Sequence, residues 1–428
     1  MDNFFVNPQP FEWQHILKRP VFDTRQLEDK VSGILNDVKQ NGDAAVKKYA
    51  LQFDKAELAS LKVSEEEFAA AMPLVDEALK AAIGIAKENI SRFHAAQKEN
   101  VTAVETAPGV NCWRKSVAID KVGLYIPGGT APLFSTLLML GIPAVIAGCR
   151  EIVLCTPSGA DGKVNPVVLY TAQLLGLTNV YKIGGVQAIA AMAYGTESFP
   201  KVYKIFGPGN QYVTCAKQLI NKEGVAIDMP AGPSEVAVYA DQTANPAFVA
   251  ADLLSQAEHG ADSQVVLVAS NSMIADEVQK EVQRQLQELP RKDIAAKSLE
   301  HSRYIVMEDD TAAFELLNEY AAEHLIIASD EAALLSEKVI NAGSVFLGHY
   351  SPESAGDYAS GTNHTLPTNG YAKAYSGVSL DSFVKKITFQ QLDQEGLKNI
   401  GKAVEVMAAA EGLEAHKNAV RVRLQSFL

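Results

Sequence analysis

The 428-residue sequence lacks a long apolar run, an excess of basic residues and a pattern of paired cysteines. No uninterrupted apolar stretch is long enough to cross a bilayer, so we predict no transmembrane helix. The formal net charge of -13 argues against a nucleic acid or an anionic membrane surface as a partner. The N-terminal residues also lack a basic stretch followed by an apolar one, so we expect no signal peptide and a cytoplasmic location.

Cysteine and aromatic residues are both scarce: the chain has four cysteines, and aromatics make up 7% of it. The cysteines show no metal-type spacing, and Cys149 and Cys155 lie in apolar surroundings. We therefore expect Cys112, Cys149, Cys155 and Cys215 to be inert thiols in a reducing compartment. The hydrophobic content of 47% is ordinary for a globular protein.

From Lys121 onward, short Val- and Ile-rich runs alternate with helical stretches. Such alternation predicts parallel sheets that helices cover on both faces. The runs form two sets that divide near residues 231–233. The first set comprises residues 122–126, 152–156, 180–183 and 202–206, and the second comprises 235–240, 264–269, 303–307, 325–328 and 344–347.

The expected fold is α/β, with two Rossmann-like parallel-sheet domains and smaller helical N- and C-terminal domains. We place a helical segment at residues 1–110, the first Rossmann-like domain at 111–231, the second at 232–380 and a C-terminal helical segment at 381–428. Residues 24 to about 98 and the chain from Gln390 onward are predicted to be helical. One helix has an apolar stripe, expected to be buried against this chain or a partner subunit: Leu79, Ile83, Ala86, Ile90 and Phe93.

Three predicted strands of the first set end in glycine: Ile126-Pro-Gly-Gly-Thr130, Ile183-Gly-Gly-Val-Gln187 and Phe206-Gly-Pro-Gly-Asn210. Glycine at a strand-to-helix joint lets a ligand approach the backbone, and the helix N-terminus that follows favours phosphate. None of the three is a complete G-x-G-x-x-G fingerprint. Nucleotide binding and simple tight turns are both compatible with this pattern.

A candidate metal site begins in Asp252-Leu-Leu-Ser-Gln-Ala-Glu-His-Gly260, which has the pattern of a helix end closed by a left-handed glycine. Gln256 and His259 are three residues apart and would share one helix face, where an amide oxygen and an imidazole nitrogen could bind a metal. A polar, irregular loop at residues 351–364 carries Asp357 and His364. A capping histidine and an ordinary surface loop are the alternatives.

Taken together, these residues and several further segments resemble the histidinol dehydrogenase family over nearly the whole chain. The matching segments are 123–136, Phe206-Gly-Pro-Gly-Asn210, 227–235, Leu253-Leu-Ser-Gln-Ala-Glu-His259, Glu323-His-Leu-Ile326, 351–367 and Ala415-His-Lys-Asn418. The resemblance implies NAD-dependent oxidation of L-histidinol through L-histidinaldehyde to L-histidine, the last steps of histidine biosynthesis.

The resemblance also implies a Zn2+ ion that orients the substrate, with Gln256, His259, Asp357 and His416 as its ligands. Nitrogen and oxygen ligands of this kind suit zinc, although cobalt or manganese could substitute. His324 is implied as the base that takes the hydroxyl proton, and Glu323 as the group that activates water for the second oxidation. Because adjacent strand residues point to opposite faces, we expect this pair at a helix–strand junction.

The remaining contacts follow from the same resemblance. The substrate-binding positions are Ser234, Gln256, His259, His324, Asp357, Glu411 and His416, and the NAD-binding positions are Tyr125, Gln187 and Asn210. His364 is expected to stabilise its loop. The family forms homodimers in which the C-terminal segment crosses over, so Glu411 and His416 would reach the partner's site.

Three other functions are weighed against this one. A related alcohol dehydrogenase acting on another small polyol would have no use for Glu411 and His416. A metal-dependent hydrolase would leave the three glycine joints unused. A non-catalytic scaffold would not need so many ligand-type residues at matching positions.

Overall fold

The computed structural model describes residues 3–20, 25–128 and 133–426. Thr24, Gly129 and Thr130, which belong to a predicted helix and a predicted glycine joint, lie outside these ranges. The strands are β1 (Phe4–Val6), β2 (Val104–Ala107), β3 (Val110–Ala118), β4 (Lys121–Tyr125), β5 (Glu151–Cys155), β6 (Val180–Tyr181), β7 (Lys204–Phe206), β8 (Ala226–Ile227), β9 (Glu235–Ala240), β10 (Gln264–Ala269), β11 (Arg303–Val306), β12 (His324–Ala328), β13 (Ser344–Leu347) and β14 (Val384–Leu392).

The helices before residue 230 are α1 (Pro10–Ile16), α2 (Arg25–Tyr49), α3 (Glu65–Ala71), α4 (Glu77–Ala95), α5 (Phe134–Ala147), α6 (Pro166–Leu174), α7 (Gly185–Tyr194) and α8 (Gln211–Lys222). Those after it are α9 (Pro246–Ala257), α10 (Ser272–Leu286), α11 (Lys292–Leu299), α12 (Asp310–Tyr320), α13 (Ala332–Leu335), α14 (Glu353–Tyr358), α15 (Gln394–Ala410) and α16 (Glu414–Gln425). A π-helical turn, Ala50–Asp54, follows α2, and short 3-10 helices occur at Met72–Leu74, Ser336–Lys338, Tyr371–Lys373 and Leu380–Phe383.

The first parallel sheet has the strand order β6-β5-β4-β7-β8. Numbered along the chain, this is the order 3-2-1-4-5 of a Rossmann domain, which reverses direction between β4 and β7. Apolar side chains of α2, α7 and α8 form the core on one face, and those of α3, α5 and α6 form it on the other. The sheet is therefore buried on both faces, as the apolar strand runs predict.

The second parallel sheet has the order β1-β11-β10-β9-β12-β13, so the same 3-2-1-4-5 arrangement recurs with β1 added at one edge. Helices α9 and α10 pack on one face, and α1, α12 and α13 pack on the other. The prediction of two Rossmann-like sheets is confirmed. The predicted bounds of β9, β10 and β13 are those of the structure.

A third, antiparallel sheet of order β14-β3-β2 was not predicted. Strand β14 pairs with β3 along its whole length, from Val384 opposite Ala118 to Leu392 opposite Val110. The expectation that the chain is helical from Gln390 is therefore wrong, because the strand continues to Leu392 and α15 begins only after Asp393 caps it. The strand is stabilised by a partner far away in sequence, which local periodicity does not reveal.

The apolar stripe on α4 is buried within this chain. Ile83, Ala86 and Ile90 pack against α5, whereas Phe93, at the end of the stripe, is exposed. The stripe therefore packs α4 against a helix of the first Rossmann-like sheet. Of the two expected partners, this chain and a partner subunit, the structure shows this chain.

We propose to keep the division of the chain at residues 110, 231 and 380. Strands β4–β8 and β9–β13 then each fall within one part, while β1 and the third sheet link the terminal parts to them. Among the described residues, no helix is both long and apolar enough to cross a membrane.

The cysteines are all free thiols, and Cys149, Cys155 and Cys215 are buried while Cys112 is partly exposed. Burial raises the pKa of the Cys149 thiol to about 11 and also raises that of Cys155. Both thiols stay protonated at neutral pH, which fits the expectation that they are inert.

Candidate active site

Glu323 and His324 lie where α12 gives way to β12, as the sequence predicts. Helix α12 ends at Tyr320, Ala321 adopts a left-handed conformation (φ 53), and β12 begins at His324. His324 pairs with Val236 of β9, the strand next to β12. Both side chains are buried at the amino-terminal edge of the second sheet.

The imidazole of His324 is contacted from three directions. Its Nδ1 atom lies 2.9 Å from the amide nitrogen of Gln256 and 3.3 Å from the backbone oxygen of Glu235. Its Nε2 atom lies 3.3 Å from Oδ1 of Asp357. The Gln256 amide nitrogen also donates to the backbone oxygen of Glu235 at 3.2 Å. His324 is thus in contact with two other predicted site residues, Gln256 and Asp357.

Burial and neighbouring charges have opposing effects on the pKa of Glu323 and on the pKa of His324. Burial raises the pKa of Glu323 to about 7, against the nearby His324 and a hydrogen bond that Glu323 accepts from the backbone N–H of Glu235 at 2.9 Å. Burial alone would lower the pKa of His324, but the carboxylates of Glu323 and Asp357 outweigh it and raise that pKa to about 10. A buried carboxyl and a buried imidazole whose pKa values depend on each other can exchange protons with a bound substrate.

Glu235 holds Glu323 and Gln256 in position at the amino-terminal edge of the second sheet, a role that the sequence did not indicate. Its buried carboxylate accepts hydrogen bonds from Arg19 Nε at 2.6 Å and Arg19 Nη2 at 2.9 Å, and from the backbone N–H of Asn369 at 2.8 Å. Its backbone N–H and C=O hold Glu323 and Gln256. An acid beside Ser234 carries no motif of its own, and its partner Arg19 lies 216 positions earlier.

Glu353 is a second residue that sequence reasoning missed. It is buried on α14, accepts a hydrogen bond from Ser255 Oγ, and has one oxygen, Oε2, with no hydrogen-bond partner among the described residues. Burial raises its pKa to about 8. The sequence was expected to be irregular here, but residues Glu353–Tyr358 form a helix that places Glu353 and Asp357 four residues apart on one face.

His259 lies just beyond the end of α9, in a turn closed by its backbone N–H bonding to the oxygen of Gln256 at 3.3 Å. Its side chain is exposed on this chain, yet desolvation by the surrounding protein lowers its pKa, against the nearby Asp357 carboxylate. The predicted left-handed glycine cap is wrong: Gly260 is not among the residues with positive φ, and Glu258 ends the helix in a right-handed conformation.

The segment that follows α14 is held in place by His364. Its Nδ1 atom lies 2.8 Å from the backbone oxygen of Asp357, and its Nε2 atom lies 3.0 Å from Thr136 Oγ1. These two contacts connect the backbone of α14 at Asp357 to α5 of the first Rossmann-like part. Such a connection agrees with the expectation that His364 stabilises its loop. Ser234 precedes β9 and is partly buried beside the same corner.

Gln256, His259 and Asp357 supply an amide oxygen, an imidazole nitrogen and a carboxylate, a donor set that suits a divalent cation. The Oδ1 atom of Asp357 is buried without a hydrogen-bond partner. These residues fit a metal ion, but incompletely: among the described residues, no group of three or more His, Cys, Asp or Glu side chains is placed to hold one.

Two predicted site residues are not brought to this cluster within one chain. Glu411 and His416 are both exposed, at the end of α15 and in the first turns of α16. These helices pack mainly against each other and against the third sheet. A single chain therefore leaves the cluster without the ligand expected from His416.

A cavity of about 990 Å³ lies at the carboxyl ends of β4 to β7. Tyr125, Gln187 and Asn210 all line it. The Tyr125 hydroxyl accepts a hydrogen bond from the backbone N–H of Gly185 at 3.1 Å, and Asn210 caps α8 through its side-chain oxygen. The buried Oε1 atom of Gln187 has no partner among the described residues and is available to a ligand.

Comparison with known proteins covers almost the whole chain. A family model described as histidinol dehydrogenase matches residues 17–424. A histidinol dehydrogenase of Bacteroides thetaiotaomicron is 61% identical over 419 residues, which are 98% of each chain, and one of Campylobacter jejuni is 52% identical over 416 residues, 96% of each. The crystal structure of histidinol dehydrogenase from Elizabethkingia anophelis matches with a TM-score of 0.98 and 56% identity, over 99% of this chain and 98% of that one.

Proposed function

Because the chain belongs to the histidinol dehydrogenase family, an enzyme family of histidine biosynthesis, we propose that it oxidises L-histidinol to L-histidine in two NAD-dependent steps, through L-histidinaldehyde. One observation carries this proposal beyond family membership. The buried pair Glu323 and His324 contacts Gln256 and Asp357, so acid–base groups and ligand-type groups share one corner of the second sheet.

His324 is the base of the first step. Oxidation of a primary alcohol requires loss of the hydroxyl proton as a hydride leaves the same carbon. The neutral form of an imidazole within hydrogen-bond reach can take that proton, and the neighbouring carboxylates of Glu323 and Asp357 stabilise the charged form that results. Contacts with Gln256 and Asp357 fix the ring so that little reorganisation is needed.

Glu323 acts in the second step. The aldehyde carbon must first gain a water molecule, which loses a proton to a base, before a second hydride can leave from the hydrated carbon. A carboxylate whose pKa is raised to about 7 by burial exchanges protons near neutral pH. The hydrogen bond from the Glu235 N–H holds one of its oxygens and leaves the other for water.

NAD is proposed to occupy the cavity of the first sheet, where Tyr125, Gln187 and Asn210 would hold it; when bound, it accepts the hydride. Gly184 and Gly185 line the cavity at the start of α7, and a helix N-terminus is a setting that favours the diphosphate.

Zinc is proposed to be held by Gln256, His259 and Asp357 together with His416 from a second copy of the chain. It would orient the substrate's imidazole and amino nitrogens. The substrate's remaining contacts are assigned to Ser234, His324 and Glu411. The exposure of Glu411 and His416 on one chain is consistent with a homodimer whose sites are shared, and we propose such a dimer, acting in the cytoplasm without nucleic-acid or membrane partners.

The direct test adds L-histidinol and NAD to the purified protein and follows NADH absorbance until the reaction stops. The expected yield is two NADH per histidinol, with histidine as the product identified by chromatography. A yield of one would indicate a simple alcohol dehydrogenase, and no NADH with release of a hydrolysis product would contradict the proposal. A polyol without an imidazole is the substrate control, and it should give no NADH.

A further inference from the structure

The proposed dinucleotide cavity lacks the acidic residue expected of a Rossmann domain. In NAD-binding Rossmann domains, an Asp or Glu about 20 residues after the glycine turn accepts hydrogen bonds from the adenosine ribose. The acid near that spacing is Glu151. It is the first residue of β5, so it lies at the end of the strand away from the cavity, where it pairs with Lys121 at 2.9 Å. At the cavity end, β5 is followed by Thr156, Pro157 and Ser158, none of which carries a carboxylate.

A carboxylate nevertheless reaches the cavity from another part of the chain. Asp54 ends the π-helical turn after α2 and is the one acidic side chain among the described residues that line the cavity. Its Oδ2 atom is buried and has no hydrogen-bond partner among those residues. An unsatisfied buried carboxylate oxygen is destabilising unless a ligand donates to it.

The position of Asp54 is fixed by its surroundings. Lys55, the next residue, has a left-handed conformation (φ 58) that ends the turn, and its backbone N–H bonds to the oxygen of Ala50. Ala50 and Ala56 on either side are buried in the core. Asp54 lines the same cavity as Tyr125, a proposed NAD contact. Burial raises the pKa of the Tyr125 hydroxyl, and the Asp54 carboxylate adds to that increase.

We propose that Asp54 binds the hydroxyl groups of the adenosine ribose and thereby selects NAD over its 2′-phosphorylated form, NADP. This inference rests on the proposed NAD-dependent function. A carboxylate accepts two hydrogen bonds from a vicinal diol, whereas it repels a phosphate on the 2′ oxygen. The N-terminal helical segment then supplies the coenzyme selectivity that the strand ends of the first sheet do not.

The test measures binding of ADP-ribose and of 2′-phospho-ADP-ribose by calorimetry to the wild type, D54N and D54S. Losing a hydrogen bond to a charged group should weaken ADP-ribose binding about tenfold or more. Binding of the 2′-phosphorylated ligand should not weaken, and should strengthen in D54S, which leaves space for the phosphate. The ratio of kcat/KM for NAD to that for NADP should fall about tenfold or more in both variants.

Glu57→Gln is the matched control, since Glu57 is an exposed acid three residues further on and does not line the cavity. It should leave both affinities unchanged. Equal weakening of both ligands in D54N and D54S would indicate a purely structural role and overturn the inference, as would no change in either. If the wild type forms NADH from histidinol while the variants keep its coenzyme preference, only the role of Asp54 fails. If the wild type binds no ADP-ribose and forms no NADH, the proposed function fails with it.

Discussion

The Nε2 atom of His324 and the Oδ1 atom of Asp357 face each other at 3.3 Å, and neither has a hydrogen-bond partner of good geometry. The two residues come from β12 and α14, 33 positions apart. Both buried atoms are thus left without a partner that a bound substrate hydroxyl would supply. This relationship links the proposed base to a proposed metal ligand.

Replacing Glu323 by glutamine should separate the two oxidations. Glutamine keeps an oxygen for the Glu235 N–H but cannot take a proton from water, so the aldehyde step should slow about a hundredfold or more. The NADH yield should fall from two towards one per histidinol, with aldehyde captured by a carbonyl trap. Glu315→Gln, an exposed acid on α12, should retain the full yield. A variant that stops before the first NADH would contradict the assigned division of roles.

Replacing Asp357 by alanine should remove the bound metal. The chain's own donors are then reduced to Gln256 and His259, which are too few to retain zinc. Metal content measured by mass spectrometry should drop from about one zinc per chain to near zero, and activity should drop with it. The control is Asp252→Asn, which alters a partly buried acid on α9 that is not a proposed ligand and should keep its zinc. Retention of a full equivalent of zinc in the Asp357 variant would exclude this residue from the ligand set.

Mixing two inactive variants should restore activity if sites are shared between subunits. In a hybrid of His259→Ala and His416→Ala chains, one site receives both defects and the other receives none. Random pairing should recover up to about a quarter of wild-type activity. The matched control mixes His259→Ala with Asp357→Ala, whose defects lie in the same chain's part of the site, and it should recover nothing. Absence of recovery in the first mixture would mean that His416 acts within its own chain or not at all.

Replacing Arg19 by methionine should destabilise the fold and the site together. The change leaves the buried Glu235 carboxylate without the two hydrogen bonds from the guanidinium, which should lower the free energy of unfolding by ~3–5 kcal/mol. Urea denaturation measures this loss, and the double variant with Glu235→Gln should recover part of it. For comparison, Arg150→Met breaks an exposed ion pair with Asp120 and should cost less than about 1 kcal/mol.

Replacing Asp252 by asparagine should change how stability depends on pH. Burial raises the pKa of this carboxyl from 3.8 to about 7, so the folded protein binds its proton more tightly than the unfolded chain does. The resulting stability is fully present below about pH 4 and is lost as the pH rises through 7. The variant has no proton to lose, so its unfolding free energy should fall less between pH 5 and pH 8, by on the order of 2 kcal/mol.

The control for this prediction is Asp276→Asn, which alters an exposed acid on α10. Its pH profile should follow the wild type. Equal slopes for the Asp252 variant and the wild type would show that this carboxyl ionises alike in the folded and unfolded chains.

The central strands of the two parallel sheets, such as β9 and β10, were predictable because they are short apolar runs buried on both faces. Strands β9, β10 and β13 were predicted to the residue. The third sheet was not, because β3 and β14 are largely polar on their exposed side and owe their conformation to each other. Strand β1 has three residues, too few to show a period.

The candidate site was predicted unevenly for a similar reason. The resemblance to the histidinol dehydrogenase family pointed to Gln256, His324 and Asp357. In the structure, His324 contacts both of the others. Glu353 and Glu235 were missed, since their burial depends on Ser255, Arg19 and other residues far away in sequence. No pattern within a single sequence reports such partnerships.

The nine-residue ladder between β3 and β14 also sets the order of events during synthesis. Residues 110–118 leave the ribosome long before residues 384–392 are made. One hydrogen-bonding edge of β3 therefore stays unpaired while more than 260 further residues are translated. That edge can be paired by β14 only after residues 384–392 have been made, so a nascent chain stalled before residue 384 would leave it open to another strand or to a chaperone.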